Sequence, residues 1–179
     1  MTKRDDEIWR GMLVAALLCL AISLVVVAYR LTGLPAVAPP VPSVPAFSLE
    51  RLRGGRVTLA ELSGKVVVID FWATWCPPCR AEMPWLVKLG GRMEAQGVVF
   101  IAISEDDPPG QVPLVNEFAR EVPGLERFAV LGDPELESAY GVTSLPTLFV
   151  LDRQGQLVQK FVGSADEGEL VELVERLAR

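Results

Sequence analysis

Asp70-Phe71-Trp72-Ala73-Thr74-Trp75-Cys76-Pro77-Pro78-Cys79-Arg80-Ala81-Glu82-Met83-Pro84 is the stretch from which the rest of the chain is read. It opens on the end of a continuous, largely β-branched apolar run, residues 66–72, the pattern of a strand buried on both faces. From Cys76 a helix is expected to about residue 96, interrupted early by Pro84 and stopped at Gly97. The cysteine pair therefore stands where a buried strand turns into a helix. There, unpaired backbone N–H groups and the positive end of the helix dipole lower a thiol's pKa, so Cys76 is expected to be the exposed nucleophile. Cys79, three residues on, lies nearly on the same helical face and within reach of a mixed disulfide formed on Cys76. Pro77 and Pro78 remove N–H donors from that first turn, which disfavours the thiolate and hence the reduced state.

A Cys-x-x-Cys pair also suits structural zinc or a purely structural disulfide. Zinc needs four ligands, yet residues 47–179 hold only these two cysteines and the chain has no histidine. A disulfide closing so short a loop removes little chain entropy and stabilises little. Redox chemistry is the favoured reading. The missing histidines also remove His-based acid–base catalysis, haem ligation through His and most copper sites, and no metal site is expected. With 17 Lys plus Arg against 23 Asp plus Glu, a formal charge of -6, the electrostatic footprint of a nucleic-acid binder is absent.

Working outward, residues 11–29 carry no charge, and 19 helical residues rise about 28 Å, roughly the thickness of bilayer hydrocarbon. A transmembrane anchor is expected there, with Cys19 as one of its small apolar residues. A cleaved secretory signal competes, but the only small-residue site, Ala36-Val37-Ala38, is followed by Pro39 and Pro40. Lys3, Arg4 and Arg10 precede the span and Arg30 alone follows closely, so residues 1–10 read as a cytoplasmic leader and everything after the span as extracytoplasmic. Residues 30–46, with Pro35, Pro39, Pro40, Pro42 and Pro45, read as a stiff polyproline tether. Residues 47–179 form the globular domain, long enough to bury a core of its own.

Within that domain short strands are expected at 46–49 and 57–59, around a Gly54-Gly55 turn, then at 66–72, 98–103, 128–131, 147–151 and 156–162. Helices are expected at 112–121, 134–140 and 167–177 besides the one after Cys76. Strands alternating with helices, closed by a hairpin and a helix, indicate an α/β domain with a mixed sheet flanked by helices. The run Glu105-Asp106-Asp107 reads as a solvated acidic loop at a strand end.

The segment around Cys76 and Cys79 resembles the active-site segment of the thioredoxin superfamily, and Gly141-Val142-Thr143-Ser144-Leu145-Pro146-Thr147 resembles its cis-proline loop. With the anchor, the tether, an N-terminal β-hairpin extension and a central insert between residues 107 and 140, the whole chain resembles the TlpA/ResA/CcmG group of membrane-anchored thiol–disulfide oxidoreductases. The resemblance implies a thioredoxin-like fold, a redox-active Cys76–Cys79 disulfide with no cofactor, and a cis Pro146 packed against the cysteines. Leu145 would then offer backbone groups to an extended substrate, and Trp75 and Pro77, beside the nucleophile, would contact it. Asp70, a carboxylate inside an apolar strand, is costly unless neutral or useful; its place six residues before Cys76 matches the buried proton-handling aspartate of thioredoxins themselves. Glu82 matches the acidic residue that the anchored group places after its cysteines, and Pro84 the kink proline of the active-site helix.

The activity implied is reduction of protein disulfides at the outer side of the membrane, apocytochrome c being the family's best-known substrate, with a membrane-embedded thiol relay as electron donor. Two alternatives stay open: a peroxiredoxin-like peroxidase, disfavoured because Thr74 stands two rather than three residues before Cys76, and a non-catalytic partner-binding module. A reduction potential between about -270 and -200 mV is expected, the range from thioredoxin to glutaredoxins.

Overall fold

Every residue of Val66–Trp72 is buried, and this strand, β3, is the spine on which the domain is built. The computed structural model describes residues 3–31, 44–107 and 109–179. One helix, α1 (Lys3–Leu31), precedes the domain. The domain then runs β1 (Ser48–Arg51), β2 (Arg56–Thr58), β3, α2 (Pro77–Met93), β4 (Val98–Ser104), α3 (Gln111–Glu121), β5 (Ala129–Leu131), α4 (Pro134–Ala139), β6 (Thr147–Leu151), β7 (Leu157–Val162) and α5 (Glu167–Ala178). The expected elements are all present. The helix after the cysteines is shorter than expected at its far end: a 3₁₀ turn at Glu94–Gln96 follows Met93, and Gly97 closes it with φ of 80°.

The seven strands form one mixed sheet in the order β2-β1-β5-β4-β3-β6-β7. β3 pairs in parallel with β4 and antiparallel with β6. β5, from the central insert, pairs in parallel with β4 and antiparallel with β1, and so joins the N-terminal hairpin to the sheet. Alternation along β3 divides two cores. Val66, Val68 and Trp72 pack with Cys79, Met83 and Leu86 of α2, Phe118 of α3 and Leu170 of α5. Val67, Ile69 and Phe71 pack on the other face with Leu49 of β1, Leu136 of α4, Tyr140 and Phe149. Helices thus cover both faces, which is why β3 carries no alternating polar residue apart from Asp70.

The domain begins before residue 47: Tyr140 donates its hydroxyl to the carbonyl oxygen of Pro45 at 2.8 Å, and Val44 packs against the second core. The last residues of the expected tether therefore belong to the domain, while its residues 32–43 lie outside the described residues. The anchor expected at residues 11–29 falls within α1. Among the described residues no helix is long and apolar enough to cross a membrane.

Candidate active site

The turn between β3 and α2 presents the two cysteines. Cys76 is the N-cap of α2, with extended backbone (φ -93°, ψ 105°), and Pro77 and Pro78 occupy the next two positions. Proline suits that place because its fixed φ is preorganised for a first turn and its missing N–H would have no partner there. One consequence falls on sulfur: the N–H of Cys79 alone reaches back to Cys76 Sγ, at 3.3 Å. Cys76 and Cys79 form a disulfide, with Cα atoms 5.3 Å apart. Both are buried, Cys76 being 3% exposed and Cys79 0%. The expectation of an exposed Cys76 is therefore corrected: in the disulfide both residues are buried. Trp75 stands out instead at 66% exposed, and Pro77 is exposed beside it.

The Leu145–Pro146 bond is cis. Pro146 is buried and Leu145 half-buried, packed against both cores. The loop is held by the Thr147 hydroxyl, which donates to the Ser144 carbonyl at 2.7 Å, and by Gly163 N–H, which donates to the Pro146 carbonyl at 2.9 Å.

Asp70 is fully buried, and neither carboxylate oxygen has a hydrogen-bond partner among the described residues. It shares the β3 face of Val68 and Trp72, and its neighbours across the sheet, Ala102 and Leu148, belong to the same core as Cys79. Burial, and then the nearby charge of Glu82, push its pKa well above the ordinary carboxylate value. Glu82, 4% exposed on α2, accepts the backbone N–H of Ala165 on Oε2 at 3.2 Å while Oε1 has no partner among the described residues. Burial raises its pKa to about 7, with the bond from the Ala165 N–H pulling the other way. Two carboxyls whose charged forms are disfavoured thus lie in the layer that holds Cys79, where they are suited to keep and pass protons rather than charge.

Sequence reasoning missed Asp106. The acidic run does not form a solvated loop: Asp106 is 2% exposed, and its carboxylate accepts the Thr74 hydroxyl at 2.6 Å and the Ser104 hydroxyl at 2.8 Å. Its neighbour Glu105 is half-buried, and burial followed by the charges of Glu137 and Asp133 raises its pKa to about 8. A signal was present, because residues 104–106 directly continue a strand paired with the one that leads to the cysteines, but nothing local in the sequence said which way Asp106 points. Among the described residues no group of three or more His, Cys, Asp and Glu side chains is arranged to hold a metal ion.

Residues 42–160 match the AhpC/TSA family. Among curated relatives, the thiol-disulfide oxidoreductase ResA of Halalkalibacterium halodurans is 37% identical over 132 residues, covering 72% of this chain and 72% of that protein. ResA of Bacillus anthracis is 33% identical over 127 residues, covering 70% and 71% respectively. Among solved structures, a thiol:disulfide interchange protein described as DsbE from Chlorobium tepidum superposes with a TM-score of 0.66 at 31% identity, over 77% of this chain and 96% of that one.

Proposed function

Because the chain belongs to the AhpC/TSA family, among its thioredoxin-like thiol–disulfide oxidoreductases, we propose that it is a membrane-anchored reductase of protein disulfides working outside the cytoplasm. The redox group of such an enzyme is its own cysteine pair, here Cys76 and Cys79, and no cofactor takes part. The observation that carries the reading is that pair at the start of α2, with the cis Pro146 loop at the same end of the sheet, where Thr147 pairs with Phe71 and Leu145 packs on the core that holds both cysteines.

In the reduced enzyme the Cys76 thiolate attacks a substrate disulfide. The substrate S–S bond breaks, a bond from Cys76 Sγ to one substrate sulfur forms, and the other substrate sulfur leaves as a thiolate. Cys79 then loses its proton to Asp70 in its ionised form, a carboxylate whose pKa burial raises and which is thereby a stronger base than an ordinary one. Its thiolate attacks Cys76 Sγ, the mixed disulfide breaks, the second substrate thiolate leaves, and Cys76–Cys79 is restored. Two electrons pass to the substrate, whose two thiolates take up two protons. A dithiol donor must then reduce the enzyme; a membrane-embedded thiol relay is the donor proposed, and apocytochrome c cysteines the substrate. Trp75 and Pro77 on one side and the Leu145 backbone on the other would hold the substrate chain.

Anchoring is supported by the uncharged run at residues 11–29, which lies in one helix. Among the described residues, the apolar side chains of 12–27 are exposed, Leu17 and Leu24 among them. The basic residues before it support an extracytoplasmic domain. A reporter active only outside the cytoplasm, fused after Ala46, tests this; activity confined to the cytoplasm overturns it. A peroxidase is disfavoured further by Thr74, whose hydroxyl is bound to Asp106. Insulin-disulfide reduction by the reduced chain, with Cys79→Ser trapping a partner in cells and Cys76→Ser trapping none, tests the reaction. A reduction potential near that of DsbA, about -120 mV, would make the protein an oxidase and defeat the reading.

A further inference from the structure

Thr74 is the second residue of the turn that delivers Cys76, a turn closed by Cys76 N–H donating to the Ala73 carbonyl at 3.2 Å. Both of its peptide groups are gripped by charged side chains. On one side the Asp106 carboxylate accepts Thr74 N–H at 3.2 Å on Oδ1 and 3.1 Å on Oδ2, and the Thr74 hydroxyl at 2.6 Å on Oδ1. On the other, Arg80 Nη1 donates to the Thr74 carbonyl at 3.3 Å. Arg80 is itself placed by Glu121 at 2.6 Å and by the ring of Phe118, whose centroid is 4.3 Å away.

Asp106 is held as firmly as it holds. It accepts the Ser104 hydroxyl at 2.8 Å, its own N–H donates to that hydroxyl at 3.2 Å, and Gln111, 6% exposed, donates its amide to the Ser104 carbonyl at 2.8 Å. Because Trp72 on β3 pairs with Ser104 on β4, the sheet register sets Asp106 level with Thr74. A buried carboxylate is expensive unless its lone pairs are occupied, and these are.

We propose that Asp106 is a positioning residue for the redox centre: by holding Thr74 it keeps Cys76 Sγ on the N–H of Cys79, the one amide in the proline-blocked first turn that reaches it. In most helices several first-turn amides share that work. Here Pro77 and Pro78 carry none, so a small rotation of the turn would leave the Cys76 thiolate without its backbone donor. This rests on the thiol–disulfide reading of the site and adds to it a residue that touches neither sulfur nor substrate.

Three roles for Asp106 predict different signs. A positioning residue, when lost, lowers the Cys76 thiolate fraction. A bare negative charge near the thiol, when lost, raises it. A brace that serves only stability leaves it unchanged while the melting temperature falls. Alkylation of Cys76 in the reduced full-length chain, followed against pH and assigned by peptide mass so that Cys19 and Cys79 do not contribute, separates them.

Asp106→Asn and Asp106→Ala are expected to move the alkylation profile to higher pH, with about a tenfold smaller thiolate fraction at neutral pH. Thr74→Ser, which keeps the hydroxyl, is expected to match the natural chain, and Thr74→Val to fall between. Should Asp106→Ala fail to fold, Thr74→Val still tests the proposal, since it leaves the buried carboxylate in place and removes one of its donors. A profile unmoved or moved to lower pH in folded Asp106→Asn and Thr74→Val overturns it. The measurement needs no protein substrate, so a chain that failed to reduce insulin would count against the proposed function without deciding the role of Asp106.

Discussion

Ala165 donates its backbone N–H to Glu82 Oε2 at 3.2 Å, joining residues 83 apart in sequence. Two residues before Ala165, Gly163 N–H donates to the carbonyl of Pro146. One short loop between β7 and α5 therefore ties the active-site helix to the cis-proline loop, and Glu82 is the side chain at that knot.

Glu82→Gln keeps an acceptor for Ala165 but removes the charge that helps raise the pKa of Asp70. Burial still raises it, so the change is partial. The pH profile of mixed-disulfide resolution is expected to shift to lower pH in this variant, with the loop intact. A profile that did not move, measured by stopped-flow on a substrate-linked Cys76, would show that the two carboxyls do not communicate.

Asp70→Asn removes the carboxyl proposed as proton acceptor and keeps nearly the same side-chain volume. Resolution by Cys79 is expected to slow about a hundredfold, at the low end of what a positioned acid or base contributes, and formation of the mixed disulfide by much less. Equal slowing of both steps would reject a proton-transfer role.

Glu105 and Glu82 both have folded-state pKa values raised, to about 8 and about 7, from an ordinary 4.5. Between pH 4.5 and about 8 the folded chain therefore holds more protons on these groups than the unfolded chain does. By linkage their contribution favours the folded state at the acid end of that window and declines as pH rises through it. Thermal unfolding is expected to show Glu105→Gln flattening the loss of stability from pH 5 to pH 8; a slope equal to that of the natural chain would contradict this.

Gly132→Ala tests the packing behind the acidic cluster. A Cβ there would stand 2.5 Å from Glu105 Oε1, 2.6 Å from the Ser104 carbonyl oxygen and 2.7 Å from Ile103 Cγ2. The backbone oxygen cannot swing aside, so a destabilisation of about 1 to 3 kcal/mol is expected in denaturant unfolding.

Trp75 is the large apolar side chain exposed next to Cys76. Trp75→Ala is expected to raise KM for a protein disulfide several-fold more than for a small aromatic disulfide, because only the larger substrate covers the indole. Equal effects on the two would remove Trp75 from the substrate contact surface.

Much of this protein was legible in its sequence because the signals were local. The apolar run of β3, the prolines and cysteines at a helix start, the Gly97 stop and the late hairpin each occupy a few consecutive residues, and the strands and helices form close to where those patterns place them. What the tertiary structure alone decided was which distant groups meet. Asp106, read as part of a solvated run, is drawn inward by the register of β4 on β3 and by the hydroxyl and amide of Thr74. Cys76, expected to be exposed, is buried among side chains from other elements. Val44 and Pro45, read as tether, are taken into the domain by Tyr140 and the second core. In each case the deciding energy is desolvation offset by partners far along the chain, and a periodicity or a cap, which sees only near neighbours, carries no record of them.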